Sequence, residues 1–313
     1  MSIISPYALG ATLYMPATRS DLFDIVMNEK IAGLRSLVIC LEDSVAENDV
    51  GFAISNICQL MGKIKECGGR VNSPLTFIRP RNTSIAKRLN DIEVINQADG
   101  FVIPKLNLSN LEKWQDAVDG SKLLLMPTLE TKDVFDPIAM VELRNALDET
   151  IKKRVLALRI GGNDLMGCLG LRRSTGHTLY KTPMSYVVSM LAGVMGSAGY
   201  AMTAPVFERL DCNALLEEEL ELDVMHGLVG KTAIHPSQIH IIHDALRVNI
   251  EDLNSARMIM AEGALAVFKH GNAMCEPATH LKWARSITER AQWHGVRLEM
   301  LNTQMTDLKK IAQ

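Results

Sequence analysis

The sequence predicts an α/β protein folded as a (β/α)8 barrel with a C-terminal helical extension. Three observations carry this prediction. Eight short apolar runs alternate with helix-like stretches between residues 11 and 238. Most runs are continuously apolar, as in SLVIC and GFVIP, which suits parallel strands covered on both faces. Seven of the runs lead directly into a polar residue: Asp43, Arg79, Lys105, Glu130, Asp164, Glu208 and His235. In a closed parallel barrel the C-terminal strand ends meet at one mouth, so these side chains converge on one pocket. Successive strand–helix units of this kind fit a barrel better than a doubly wound sheet.

The first strand is ATLYMP, followed by a helix from Asp21 to Ala32 with Ser20 or Asp21 as its N-cap. SLVICLED is the second strand, and residues 47–66 carry apolar positions at helical spacing before Cys67-Gly68-Gly69. PLTFIRPRN, GFVIPKL and KLLLMPTLE are the third to fifth strands, with helices after each. VLALRIGGNDL is the sixth, closed by Gly161-Gly162, and residues 166–181 read as an irregular, lid-like loop. MSYVVSMLAGVMGSAG is a helix, YAMTAPVF the seventh strand, and 213–228 an acidic helix with Glu217 to Glu219 and Glu221 on a solvated face. KTAIHPSQ is the eighth strand. Residues 1–245 therefore form the barrel, and 246–313 form an extension with helices over 251–269 and 278–312. Such an extension packs on the barrel, covers its mouth or reaches a neighbouring subunit.

The 313 residues are 47% hydrophobic and 22% charged, ordinary for a globular enzyme. A net charge of −3 argues against a broad nucleic-acid surface, and no apolar run is long enough for a membrane helix. The six cysteines contain no CxxC pair, and the N-terminus carries no signal-peptide pattern, so a reduced, cytoplasmic location is expected.

Glu130 and Asp164 follow consecutive strands, which places their carboxylates within reach of one ion. Two carboxylates with positions left for water and substrate suit Mg²⁺, and no Cys or His cluster has zinc spacing. The competing reading makes both residues helix caps or rim ion-pair partners. Arg79 offers a guanidinium fork for a substrate carboxylate, with Arg81 as a competitor; its alternative is a structural pair with Asp43 or another rim acid. Glu42 and Asp43 are adjacent on a strand, so one faces inward. Lys105 either orients Glu130, neutralises enolate charge or closes a rim salt bridge. Gly161 and Gly162 permit close backbone approach to a ligand. His235 is a supporting candidate. Ser174, His177 and Thr178 form no nucleophile elbow.

The segments LYMPAT, LVICLEDSV, FIRPRN, GFVIPKL, LMPTLET, RIGGNDL with CLGLRR, and GKTAIHPSQI, in this order, resemble the HpcH/HpaI aldolase and citrate lyase β-subunit family. The resemblance spans residues 11 to about 245 and reaches the C-terminal AMCEPATHLKWA. It implies a modified TIM barrel with a Mg²⁺-dependent carbon–carbon lyase activity. The substrates would be a 2-oxo acid and an acyl thioester, often of coenzyme A. It further implies Glu130 and Asp164 as metal ligands and Arg79 as the carboxylate anchor. Asp43, Lys105 and His235 fall on family positions with supporting roles, and the resemblance implies a homotrimer or hexamer. The sequence departs from the family pattern at Ala204, where relatives carry an aspartate. It departs again at Glu276-Pro277, where thioester-using relatives place an aspartate that reaches a neighbouring site. Glu276 is the acid/base candidate there. Two other readings stay open: a metal-dependent aldolase on free 2-oxo acids, and a ligand-binding barrel without turnover.

Overall fold

A computed structural model describes residues 4–297. The chain forms two compact units, Met1–Ala245 and Leu246–Gln313. The first contains eight parallel strands: β1 (Gly10–Pro16), β2 (Ser36–Cys40), β3 (Leu75–Arg79), β4 (Gly100–Ile103), β5 (Leu124–Leu129), β6 (Leu158–Ile160), β7 (Met202–Thr203) and β8 (Gly230–Ala233). Each strand pairs with its sequence neighbours, and β8 returns to β1. Closure between β7 and β8 is completed by the Ala204–Lys231 bridge, with the Ala204 amide donating to Gly230 O at 2.7 Å. Gly230 is needed where β8 meets β1, because a Cβ there would lie 2.5 Å from Gly10 O. The eight helix-like connections are α1 (Leu22–Met27), α2 (Val50–Glu66), α3 (Thr83–Asn90), α4 (Leu111–Ala117), α5 (Pro137–Glu149), α6 (Gly162–Cys168) with α7 (Met184–Leu191), α8 (Asn213–Met225) and α9 (Ser237–Ala245).

Local chemistry fixes several boundaries. Asn82 caps α3 by accepting from the Ile85 amide, and Asp136 caps α5 just ahead of Pro137. Asp21 occupies the N-cap position of α1 but its carboxylate binds Arg19 and Lys30 instead. The helix expected to reach Ala32 ends at Met27, since no apolar periodicity continues through Asn28-Glu29-Lys30.

Along each strand the barrel interior changes character. Val38, Phe77, Val102, Met126 and Ala157 pack together as an apolar layer. Two residues further along the strands come Thr128 and Arg159, and two further still Glu130 and Gly161. Period-two alternation keeps these on one face, so the interior runs from apolar through polar to charged at the C-terminal mouth.

The second unit has its own small core of Val248, Leu253, Ala256, Ile259, Cys275, Ala284 and Ile287. It contains β9 (Val248–Asn249), α10 (Ile250–Ile259), the hairpin β10 (Phe268–His270) and β11 (Ala273–Cys275), α11 (Pro277–His294) and β12 (Val296–Arg297), which pairs with β9. The helix expected over 251–269 thus stops ten residues early, and the segment read as a break between helices is an antiparallel hairpin. The helix expected over 278–312 ends at His294; its part from residue 298 onward lies outside the described residues.

Candidate active site

The strand ends bring together most of the residues singled out from the sequence. Arg79 is the last residue of β3, Glu130 follows β5, and Asp164 lies in the first turn of α6 directly after β6. All three line one cavity of about 420 Å³, together with Asp43, Gly161, Gly162 and Glu208. Lys105 is two residues beyond β4 and reaches over the rim: its Nζ lies 3.1 Å from Glu42 and 3.9 Å from both Asp43 and Asp164.

Glu42 is the carboxylate that faces inward. It is 4% exposed and ion-pairs with Arg79, whereas the Asp43 side chain is 70% exposed and approaches Lys105. Of the two adjacent rim acids, Glu42 is thus the one paired with Arg79, while Asp43 lines the cavity. Arg81 is also not a competitor for the pocket. Its guanidinium donates to the carbonyls of Leu41, Glu42 and Val45 and pairs with Glu47, so it ties down the loop that presents Glu42.

Glu130 is 3% exposed. Its Oε1 accepts from Arg79 Nη2 at 2.9 Å and from the Lys105 amide at 2.8 Å. That amide is aimed by a left-handed backbone at Lys105, with φ of 51°, a conformation that costs a non-glycine residue about 1 kcal/mol or more. Oε2 sits against Gly161, where a Cβ would lie 2.4 Å away. Burial pushes the Glu130 carboxyl up to about 7, with Arg79 opposing the rise and Asp164 adding to it. Burial likewise raises Glu42, again opposed by Arg79. Arg79 is held above its ordinary range: burial works against its charge, but Tyr14, Glu130 and Glu42 outweigh it. Its Nε is buried without a hydrogen-bond partner.

A buried carboxylate with elevated proton affinity, next to a second carboxylate, is a place where a divalent cation would relieve repulsion. Among the described residues, no group of three or more His, Cys, Asp or Glu is arranged to hold a metal ion. Glu130 and Asp164 both line the cavity, and two carboxylates with further positions open to water or substrate oxygens are a donor set that a hard, oxygen-seeking ion accepts.

The profile of a family described as C–C bond lyase of the TIM-barrel fold matches residues 3–296. The chain belongs to that family. No curated protein sequence matches it. Among solved structures, this C–C bond lyase family member is similar to a citrate lyase from Burkholderia xenovorans, with a TM-score of 0.69, 15% identity, and coverage of 93% of this chain and 94% of that one. It is also similar to the protein CitE from Mycobacterium tuberculosis in complex with magnesium, acetoacetate and coenzyme A (TM-score 0.64, 21% identity, 90% and 98% coverage). A third is RipC from Yersinia pestis (TM-score 0.56, 18% identity, 77% and 96% coverage). At these identities the likeness is one of fold.

His235 is exposed and its ring bonds Ser237. Glu276 occupies the N-cap position of α11 in the second unit. Ala204 is buried in the β7–β8 bridge and does not line the cavity. The acidic face of α8 is only partly solvated. Glu217, Glu218 and Glu221 are exposed, but Glu219 is fully buried between Arg173 and Lys231. Sequence reading missed Tyr14, Thr128, Arg159 and Thr232, which also line the cavity. An arginine inside an apolar run, LALRI, was the one available signal.

Proposed function

We propose that this protein is a Mg²⁺-dependent carbon–carbon lyase that cleaves or forms a bond between a 2-oxo acid and an acyl thioester. The observation that carries the reading is Glu130: a buried carboxylate that lines one cavity with Asp164 and is bonded to Arg79. Family membership and the magnesium in the M. tuberculosis CitE complex support it.

Glu130 and Asp164 are the residues that would hold Mg²⁺. When bound, Mg²⁺ supplies Lewis acidity at the oxygens of a 2-oxo or 2-hydroxy acid. Arg79 anchors the substrate carboxylate; Glu42 and Glu130 both hold its Nη2 in place. Retro-Claisen cleavage moves electrons onto the thioester carbonyl, and the resulting enolate needs fixed positive charge. Lys105 Nζ, perched at the rim and held by Glu42, provides it. Asp43 lies beside Lys105 on the cavity wall, and in this reading it takes the proton leaving the substrate hydroxyl. Glu276 takes the acid/base role if the second unit serves a neighbouring subunit in a trimer or hexamer.

Turnover assays on malyl-CoA, citramalyl-CoA and free 4-hydroxy-2-oxo acids test the activity. Thioester cleavage that needs Mg²⁺ and disappears in Glu130→Ala and Asp164→Ala supports it. Turnover of the free acids alone replaces it with an aldolase. A Mg²⁺-induced rise in melting temperature that is the same in wild type and Glu130→Ala overturns the metal assignment.

A further inference from the structure

Below the charged mouth, the barrel holds a buried charge that the chemistry just described does not use. Arg159 on β6 registers with Thr128 on β5 and Thr203 on β7, so the three side chains share one face of the sheet. Arg159 is 2% exposed. Its guanidinium donates to Thr232 Oγ1 at 2.5 Å, and its central carbon lies 5.1 Å from the Tyr14 ring centroid. Among the described residues, no carboxylate lies within ion-pair distance of it. Arginine keeps its charge in proteins, and a buried charge without a counter-ion is costly. Burial weighs against this charge, and the first group that favours it is Tyr14, ahead of Glu130.

Tyr14 belongs to β1 and lines the same cavity as Arg79, Glu130 and Asp164. Four groups bear on its hydroxyl, each from a different element: Arg159 on β6, Arg79 on β3, Cys40 on β2 and Glu130 after β5. Burial raises the hydroxyl above its ordinary range; both arginines oppose the rise, and Cys40 and Glu130 add to it. Two fixed cations are therefore in place to accept negative charge on the phenol oxygen, in a site where such charge is worth more than in water. That charge is the counter-ion Arg159 lacks, and it exists only after Tyr14 has given up its proton.

The cleavage proposed above needs two proton transfers. One removes the substrate hydroxyl proton and falls to Asp43. The other delivers a proton to the enolate carbon of the thioester, and no group of the barrel has yet been given that task. Glu130 and Asp164 are committed to the cation, and Tyr14 is the one phenol on the cavity wall. We propose that Tyr14 is the acid that protonates the enolate carbon, with Arg159 as the positioning residue that holds the phenolate. This rests on the lyase reading above and supplies its second proton transfer. The Asp43 carboxylate takes the hydroxyl proton, the carbon–carbon bond breaks, and its electron pair passes to the thioester as an enolate. The enolate carbon takes the Tyr14 proton, leaving a phenolate that faces Arg159. The proton on Asp43 returns to Tyr14 through solvent, and both groups are restored with no net proton consumed. In the bond-forming direction the Tyr14 phenolate is the base.

Steady-state turnover of malyl-CoA and citramalyl-CoA in magnesium chloride, with the full chain, tests this. Tyr14→Phe keeps the ring over Arg159 and removes only the hydroxyl. It lowers kcat by about a hundredfold or more, the usual contribution of a positioned acid, and leaves KM and the Mg²⁺-induced rise in melting temperature unchanged. With the 2-oxo acid product present, the wild type exchanges the methyl protons of acetyl-CoA with deuterium oxide, followed by proton NMR, and Tyr14→Phe does not. Incorporating 3,5-difluorotyrosine at position 14, a more acidic phenol of nearly the same shape, moves the alkaline limb of the kcat profile to lower pH. Arg159→Gln moves that limb to higher pH. A tyrosine that only fills space moves neither. A Tyr14→Phe enzyme within a few-fold of the wild-type kcat overturns the proposal, as does an alkaline limb that difluorotyrosine leaves in place. Turnover of neither thioester by the wild type takes down the lyase reading itself, and this proposal with it.

Discussion

Arg79 Nη2 donates to Glu130 Oε1 at 2.9 Å, linking the ends of two strands that are not neighbours in the sheet. The same nitrogen also pairs with Glu42. One guanidinium therefore offsets two buried carboxylates, a structural role beside the substrate-anchoring one proposed above. Removing it leaves both carboxylates uncompensated. Arg79→Ala should cost about 3–5 kcal/mol of stability, the range for breaking a buried ion pair from one side. Urea unfolding in the absence of metal measures this directly. A loss within experimental error would mean that water compensates the carboxylates and that Arg79 serves the ligand only.

The raised Glu130 value makes a prediction about pH. The folded carboxyl titrates near 7 against an ordinary 4.5, so the fold binds this proton more tightly than the unfolded chain does. Its stabilising contribution is fully present below the ordinary value and is lost as pH rises through about 7. The difference corresponds to on the order of 3 kcal/mol. Glutamine mimics the protonated form at every pH. The stability of metal-free Glu130→Gln relative to wild type should therefore increase between pH 5 and pH 8, by an amount of that order. A flat difference across this range would show that Glu130 titrates normally.

Outside the barrel interior, Lys231 carries a second buried charge cluster. Its side chain leaves β8 on the outer face and bonds Glu219 at 2.9 Å and Asp223 at 2.8 Å, both on α8. Arg173 joins Glu219 from the loop after α6, donates to Val206 O and lies over the Phe207 ring. The cluster thus pins α8 and the segment carrying Val206 and Glu208, two cavity residues. Lys231→Met leaves two buried carboxylates facing one arginine and should destabilise the fold by about 3–5 kcal/mol. The double change Lys231→Met with Asp223→Leu should recover part of that loss, because it removes an unpaired charge along with its partner. Guanidinium unfolding of the single and double variants checks both statements. Full additivity of the two losses would contradict the coupling.

These clusters also mark where the sequence was legible. The eight strands could be read because burial on both faces makes them unbroken apolar runs, and the polar residues after them gave the mouth. The same burial hid the side-chain direction. All five residues of β2 are buried, so no alternation shows whether Glu42 or Asp43 turns inward; that depends on how Arg81 folds the following loop. Glu219 could not be told from Glu217, Glu218 and Glu221 by composition. Its partner held the clue, since a lysine within GKTA, with strand burial around it, needs a buried acid. The hairpin at 268–275 was missed because its turn, Gly271-Asn272, also reads as a helix break. Thr128 and Thr232 carried no signal of their own, since threonine is a common strand residue whatever it faces.

Gly161 gives the last prediction, which separates site geometry from stability. A Cβ added there would lie 2.3 Å from Glu130 Cβ and 2.4 Å from its Oε2. Neither distance is tolerable, so Gly161→Ala must move the Glu130 side chain or the start of α6. Gly161 has φ of −87°, accessible to alanine, so the backbone itself adds no penalty. The cost falls on the carboxylate, and with it on the spacing between Glu130 and Asp164. Octahedral Mg²⁺ is intolerant of such displacement. Gly161→Ala should therefore abolish the Mg²⁺-induced rise in melting temperature. The metal-free variant should lose only about 1–3 kcal/mol, as overpacked sites do. Thermal melts of both proteins across a Mg²⁺ titration measure the two effects together. A variant that keeps the full Mg²⁺ shift would place the cation away from Glu130 Oε2, and Asp164 would then need a different partner.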